Sequence, residues 1–282
     1  MTEIIGNSTG ANITALEDNG EGLSSTQVTV LDTLIIILAI TSMFAQLFII
    51  TNYALFPRLR GAVGRLVVAM AASNFCLAIT LLVGLPSFKN SILTSEPLCT
   101  AQGTFNQFFS VQGGVWPPFI SIALYLFVTK GKEAGVMASN VLLVIGYTLA
   151  AFNTAIPLIL KVYGTAGQWC WISGEKLGGN YRMIFYYAQI WILWIVCVTM
   201  YVMTWSFYRN VVVTTEQGTH TFKVKTKAIK KFIYYPLVFI IIFIGPSLFR
   251  VWTLIEPHPA QTRLFILILF HHVCFTGMGI IN

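Results

Sequence analysis

The sequence predicts an all-α membrane protein, a bundle of seven transmembrane helices with its N-terminus outside. Three observations predict it. The 282 residues are 56% hydrophobic and only 10% charged, with a mean hydropathy of +0.75. Seven apolar stretches each reach at least ~18 residues, enough to cross a bilayer. Basic residues are shared unequally between the loops that seven crossings would place on alternate faces. An average soluble domain is ~25% charged, so an ordinary soluble enzyme is excluded. A disordered chain, which needs low hydrophobicity and high charge, is excluded as well.

Residues 1–29 read as an extracellular, glycosylated tail. They carry Glu3, Glu17, Asp18 and Glu21 and no Lys or Arg. They lack the basic start and apolar core of a cleavable signal peptide. Two sequons fall here, at Asn7-Ser8-Thr9 and Asn12-Ile13-Thr14, so Asn7 and Asn12 are the expected glycan acceptors. Residues 30–282 form the expected seven-helix domain, with spans near 30–53, 66–86, 99–128, 137–160, 183–208, 230–253 and 262–282. The third contains Trp116-Pro117-Pro118 and is expected to break there; the sixth carries Pro236 and Pro246. Proline inside a span removes a backbone hydrogen bond and kinks the helix, and neighbouring helices can satisfy the freed carbonyl. No internal repeat appears, which gives no support to a transporter built from duplicated halves.

The formal net charge is +7. In a soluble protein that excess would suggest nucleic acid; here it sorts by membrane face, and no nucleic-acid partner is expected. With the N-terminus outside, the inner loops hold Arg58, Arg60, Arg65, Lys130, Lys132, Arg209, Lys223, Lys225, Lys227, Lys230 and Lys231. The outer side holds Lys89, Lys161, Lys176, Arg182, Arg250 and Arg263. This distribution obeys the positive-inside rule and agrees with the sequons. The run Lys223–Lys231 attracts anionic lipid, at ~1 kcal/mol per residue near the surface, and also flanks a cavity suited to a partner helix.

Five cysteines are present. Cys76, Cys197 and Cys274 sit in apolar runs and read as packing residues. Cys99 and Cys170 lie beside polar loops and can pair if both face an oxidising exterior. No Cys/His spacing suggests zinc, and His271-His272 are too close to be an i, i+4 ligand pair. No metal and no cofactor are expected. The spans contain almost no carboxylate, so neither an enzyme's acid–base pair nor the acidic lining of a channel or pump is visible. The last span has no lysine for a retinal Schiff base. Neutral polar residues remain, expected to face inward: Gln46, Asn74, Asn106, Gln107, Gln112, Asn153, Gln189, His271 and His272. Such groups join helices as readily as they bind ligands. Arg250 lies one turn after Pro246 near the outer end of the sixth span. A buried arginine there needs an anion, either Glu256 or a ligand phosphate or carboxylate; snorkelling to the outer surface is the alternative.

Four stretches then carry a family resemblance. They are Leu98-Cys-Thr-Ala-Gln-Gly-Thr-Phe-Asn-Gln-Phe-Phe109; Trp169-Cys-Trp-Ile172; Tyr234-Tyr-Pro-Leu237 with Arg250-Val-Trp-Thr-Leu-Ile-Glu-Pro257; and Gly277-Met-Gly-Ile-Ile-Asn282. From about Phe48 onward the chain resembles the class E, slime-mould cyclic-AMP receptor type of G protein-coupled receptors, with their plant and fungal relatives. The Cys-Trp pair is shared with secretin-type receptors, whereas its combination with Tyr-Tyr-Pro and Ile-Glu-Pro is much more specific. The resemblance implies that Cys99 pairs with Cys170. It implies a heterotrimeric G protein as partner, met by loops that include Arg58, Arg60, Lys130, Lys225, Lys227 and Lys230.

The resulting expectation is a multi-pass receptor of the plasma membrane, not an enzyme. A small extracellular ligand, cyclic-AMP-like if anionic, enters the outer half of the bundle. It is held there by Arg250, Lys161, Trp171, Arg182, Gln107, Gln189 and His271. Its partners are the G protein, the ligand and membrane lipids. The alternative is a seven-helix transporter or channel without G-protein coupling. The chain departs from the family in carrying Asn74 where similar receptors commonly have aspartate, and Tyr125-Leu-Phe-Val-Thr-Lys130 where an Asp-Arg-Tyr switch is common. It ends at Asn282, where the family continues; truncation in or just after the seventh helix is the expectation.

Overall fold

The structure is a computed structural model that describes residues 24–83, 95–166, 169–173, 178–214 and 239–255, with 265–266, 268–270 and 273 near the end of the chain. The tail with Asn7 and Asn12, the connector with Lys225, Lys227 and Lys230, and His271 lie outside the described residues.

Helix α1 spans Ser25–Leu55. Ser24 opens it with a capping box: its hydroxyl accepts from the Gln27 N–H at 3.3 Å, and the Gln27 side chain accepts from the Ser24 N–H at 2.9 Å. Both satisfy donors that a helix start leaves without partners. At its other end Arg60 donates to the carbonyls of Ala54 at 2.6 Å and Tyr53 at 3.3 Å, closing the last turn through a short 3₁₀ segment, Pro57–Leu59. Helix α2 spans Ala62–Val83, α3 Glu96–Lys130 and α4 Lys132–Ile159. An antiparallel hairpin follows, β1 Tyr163–Ala166 and β2 Trp169–Ile172, with Thr165 opposite Cys170. Helix α5 comprises Gly178–Arg182, a π-helical turn Met183–Tyr187, and Ala188–Thr214. Helix α6 spans Ile244–Ile255.

Among the described residues, five helices are long and apolar enough to cross a membrane, and they match the first five expected spans. The sixth expected span is described from residue 239 onward. Of the seventh, residues 265–266, 268–270 and 273 are helical, and Ile268 packs against Leu31 of α1. The helical membrane architecture is thus present.

The expected break at Trp116-Pro117-Pro118 is absent: α3 runs as one 35-residue helix through both prolines. All three residues are buried, and the Ser121 hydroxyl donates to the Pro117 carbonyl at 2.8 Å. Enclosure by neighbouring helices makes the proline pair tolerable, because the local backbone finds partners without water.

The core is centred on Trp116, which is fully buried and lies among residues of α2, α4 and α5. Its indole N–H donates to Ser73 Oγ at 3.0 Å, and Ser73 also pairs with the Gln112 side-chain amide. The ring meets Tyr147 edge-on at 5.2 Å. Gly146 makes this approach fit, since a Cβ there would lie 2.6 Å from Trp116 Cζ3. At the far end of α3 a single residue, Gly131, joins it to α4, with φ of 98° in the region that favours glycine.

Replacing Gly146 with Val is expected to destabilise the bundle by ~1–3 kcal/mol through overpacking against a rigid ring. Thermal unfolding in lipid discs should show a lowered midpoint. Gly61→Ala is the control, because a Cβ at Gly61 meets nothing within 4 Å.

Candidate functional site

The candidate site forms where the start of α3, the β-hairpin and the start of α5 meet. Cys99 and Cys170 are joined by a disulfide, with Cα atoms 5.3 Å apart and a sequence separation of 71. A loop of that length restricts the unfolded chain by roughly 4 kcal/mol. Both cysteines are buried, and the bond fixes β2 onto the first turn of α3.

Amide side chains continue this attachment down one flank of α3. Gln102 accepts from the Cys170 N–H at 3.1 Å and donates to the Thr80 carbonyl at 3.1 Å, tying β2 to α2 across α3. Asn106 donates to the Cys170 carbonyl at 3.4 Å. Gln107, fully buried, accepts from the Trp171 indole N–H at 2.6 Å and donates to the Phe185 carbonyl at 3.0 Å. Gly103 lets the hairpin settle this closely, since a Cβ there would lie 3.0 Å from the Tyr163 ring. The Tyr163 hydroxyl donates to the Thr154 carbonyl at 3.1 Å, and burial pushes its pKa up, which keeps it a donor.

The π-helical turn supplies the other wall. A π turn displaces the backbone register within an α-helix and is frequent at functional sites. Here the carbonyls of Ile184 and Phe185 accept from Gln189, at 3.2 Å, and from Gln107. Gln189 also donates to Asn153 Oδ1 of α4. Trp171 packs edge-on against Tyr186, with centroids 5.4 Å apart. The Arg182 guanidinium lies 5.4 Å from the Trp171 centroid, and its Nε donates to the Ile172 carbonyl at 2.6 Å. A cation over an indole face gains from the ring quadrupole. Two polar atoms of this set are buried and have no hydrogen-bond partner: the Tyr186 hydroxyl and Gln189 Oε1.

Four of the expected ligand residues therefore come together: Gln107, Trp171, Arg182 and Gln189. Lys161 does not join them. It is exposed, in the turn between α4 and β1, with φ of 54°. Arg250 lies on α6, but its side chain is outside the described residues, as is His271. Tyr186 and Gln102 are the additions. Tyr186 gave no signal, because a tyrosine in an apolar run reads as membrane-facing. Gln102 lies in the Leu98–Phe109 stretch, three residues after Cys99 and four before Asn106, and so shares their helix face.

At the opposite end of the bundle Arg58, Arg60 and Lys130 are exposed. Arg60 is engaged in closing α1, and Arg65 donates to Asn140 Oδ1 at 2.6 Å, linking α2 to α4. Among the described residues no group of three His, Cys, Asp or Glu side chains could hold a metal. The site offers amides, aromatic faces and one guanidinium, which suits recognition of a small molecule.

The chain is similar to several known proteins. The chain is 28% identical over 223 residues to G-protein coupled receptor 1 of Arabidopsis thaliana, covering 77% of this chain and 66% of that protein. It is 25% identical over 193 residues to Cyclic AMP receptor-like protein A of Dictyostelium discoideum, covering 68% and 50%. It is 25% identical over 178 residues to Ascaroside receptor GPR3 of Arthrobotrys oligospora, covering 58% and 42%. The chain thus spans between about two fifths and two thirds of the length of these relatives. The profile of the family described as slime mold cyclic AMP receptor matches residues 23–281. A match that begins beside the capping box of α1 and takes in the bridged hairpin and the amide flank of α3 makes this chain a member of the slime mold cyclic AMP receptor family.

Proposed function

We propose that the protein is a G protein-coupled receptor of the plasma membrane that crosses the bilayer seven times with its N-terminus outside. It binds a small extracellular ligand beneath the bridged hairpin and activates a heterotrimeric G protein at the opposite face. The observation that carries this reading is the pair of unpartnered buried groups, the Tyr186 hydroxyl and Gln189 Oε1, beside Trp171 and Arg182. An unsatisfied buried polar group costs about 1–3 kcal/mol, which a ligand bearing a complementary donor and acceptor recovers. The names of the relatives support a small-molecule ligand: two are named for cyclic AMP or ascarosides and another for its G protein.

The ligand is anionic, of the cyclic-nucleotide kind, if Arg182 and Arg250 both serve it. Gln107 and Trp171 orient it, and Lys161 and His271 are further proposed contacts. Signalling requires the ligand to favour one arrangement of the bundle; moving a 1:99 equilibrium to 99:1 takes ~5.5 kcal/mol of differential affinity. The element proposed to move is the sixth helix, bent at Pro246. Two tryptophans of α5 hold it: Trp191 donates to Ser247 Oγ and Trp194 to the Ile240 carbonyl, both at 3.2 Å. Displacing its basic inner end would open a groove for a G-protein helix. Asn7 and Asn12 carry the proposed glycans, and Arg58, Arg60, Lys130, Lys225, Lys227 and Lys230 face the G protein.

Nucleotide exchange on a purified G protein, with the chain in lipid discs and cyclic AMP as probe, tests the reading. Probe-dependent exchange is expected; tracer uptake without exchange would favour the transporter alternative. Gln189→Leu should weaken the response about tenfold, the effect of losing ~1.4 kcal/mol. Arg250→Ala should abolish it, and unchanged potency would remove the anion-binding role of that residue. Trp194→Phe deletes one tie between α5 and the sixth helix, so it should raise exchange in the absence of probe.

A further inference from the structure

The side-chain amide of Gln189 has a fixed polarity. Its nitrogen carries two protons, and both are placed: one goes to Asn153 Oδ1 on α4, the other to the Ile184 carbonyl of the π-helical turn at 3.2 Å. Asn153 is oriented in turn, because its own nitrogen donates to the Leu149 carbonyl at 2.8 Å. Turning the Gln189 amide over would set its oxygen against Asn153 Oδ1 and the Ile184 carbonyl, acceptor against acceptor. Turning Asn153 over as well would set its oxygen against the Leu149 carbonyl. Gln189 Oε1 is therefore the atom left over. It is buried and has no partner, and an amide oxygen can only accept.

We infer that Gln189 is the specificity-determining residue of the candidate site: it accepts a hydrogen bond from an N–H or O–H of the ligand, and Asn153 is the positioning residue that aims it. The inference rests on the reading that a small ligand occupies the site, and it adds which part of that ligand lies where. A phosphate or carboxylate against Gln189 would meet another acceptor and be refused. An anionic group therefore lies toward Arg182, whose guanidinium borders Trp171. A neutral donor lies toward the seam between α4 and α5 that the Gln189–Asn153 bond spans. The Tyr186 hydroxyl, also buried and unpartnered, both donates and accepts, so it tolerates either kind of group and does not discriminate. Among ligands of similar size the site selects those that carry the donor, because a site built to bond an N–H or O–H rejects the analogue that leaves its buried acceptor bare.

Equilibrium binding of three probes to the full chain in lipid discs tests this. Cyclic AMP has two neutral donors, the exocyclic amine of the base and the 2′-hydroxyl of the ribose. One analogue has the amine replaced by hydrogen; the other lacks the 2′-hydroxyl. One of the two analogues is expected to bind the unaltered chain about tenfold more weakly than cyclic AMP. In Gln189→Leu, a change at a half-buried position, that ratio should fall to about one, with cyclic AMP losing affinity and the analogue keeping it. Asn153→Leu frees the amide from one of its two restraints and should narrow the ratio as well. A merely structural role of Asn153 would weaken all three probes together and leave the ratio unchanged, which would overturn its assignment as the positioning residue. Equal binding of the three probes by the unaltered chain, the result if a water serves Gln189 instead, would overturn the inference and leave the ligand reading standing. A ratio that persists in Gln189→Leu would overturn it too. Binding of none of the three would overturn the cyclic-nucleotide reading and the inference with it.

Discussion

Most polar groups that α3 carries into the apolar layer find a partner inside the protein, and Gln112 Nε2 is a buried one that does not. In water a hydrogen bond contributes about 1 kcal/mol net, because the unfolded group bonds to solvent. In hydrocarbon no such alternative exists, and an unpaired amide costs several kcal/mol. Gln102, Asn106, Gln107 and Gln112 are all buried on α3. Their partners lie on α2, β2, α5 and α2. These four side chains therefore dictate which elements stand next to α3. Apolar packing alone would not discriminate in this way, since lipid tails compete equally well for an apolar helix face.

The same constraint explains what could be read from the sequence. A glutamine or asparagine in an apolar run tends to turn inward, so nine polar residues were read as interior: Gln46, Asn74, Asn106, Gln107, Gln112 and Asn153 are buried, Gln189 is half-buried, and His271 and His272 lie outside the described residues. The first five spans were legible from length and hydropathy. Cys99 and Cys170 stood out beside polar loops, and the family resemblance paired them. The continuity of α3 through Pro117 and Pro118 was not legible, because it depends on neighbours that enclose the bend. Nor was the hairpin: Tyr163–Ala166 and Trp169–Ile172 are too short to show a strand period, and the disulfide with the Gln102 and Asn106 bonds holds the second strand in place. The charge of Arg60 was legible, whereas the bonds of its guanidinium to the carbonyls at the end of α1 were not.

Asn74 is a neutral amide at a buried position. It is buried on α2, one residue after the Ser73 that meets Trp116, and neither atom of its amide has a hydrogen-bond partner. A carboxylate at this depth would carry a far larger desolvation cost than a neutral amide. With Asn74 the bundle keeps a polar foothold at mid-depth without a titratable group. The C-terminal end of α3 is likewise free of an acid–arginine pair: Thr129 bonds back to the Tyr125 carbonyl at 2.7 Å and the helix closes on Lys130.

The corner at Gly131 limits how its end of the bundle can be recognised. One residue between two long helices leaves no pliable strip of main chain for another protein to grasp. Whatever approaches there must read side chains projecting from rigid rods, and α3 and α4 must shift together because neither can swing without dragging the other. Recognition at that corner is consequently a matter of side-chain shape and charge rather than of an adaptable backbone.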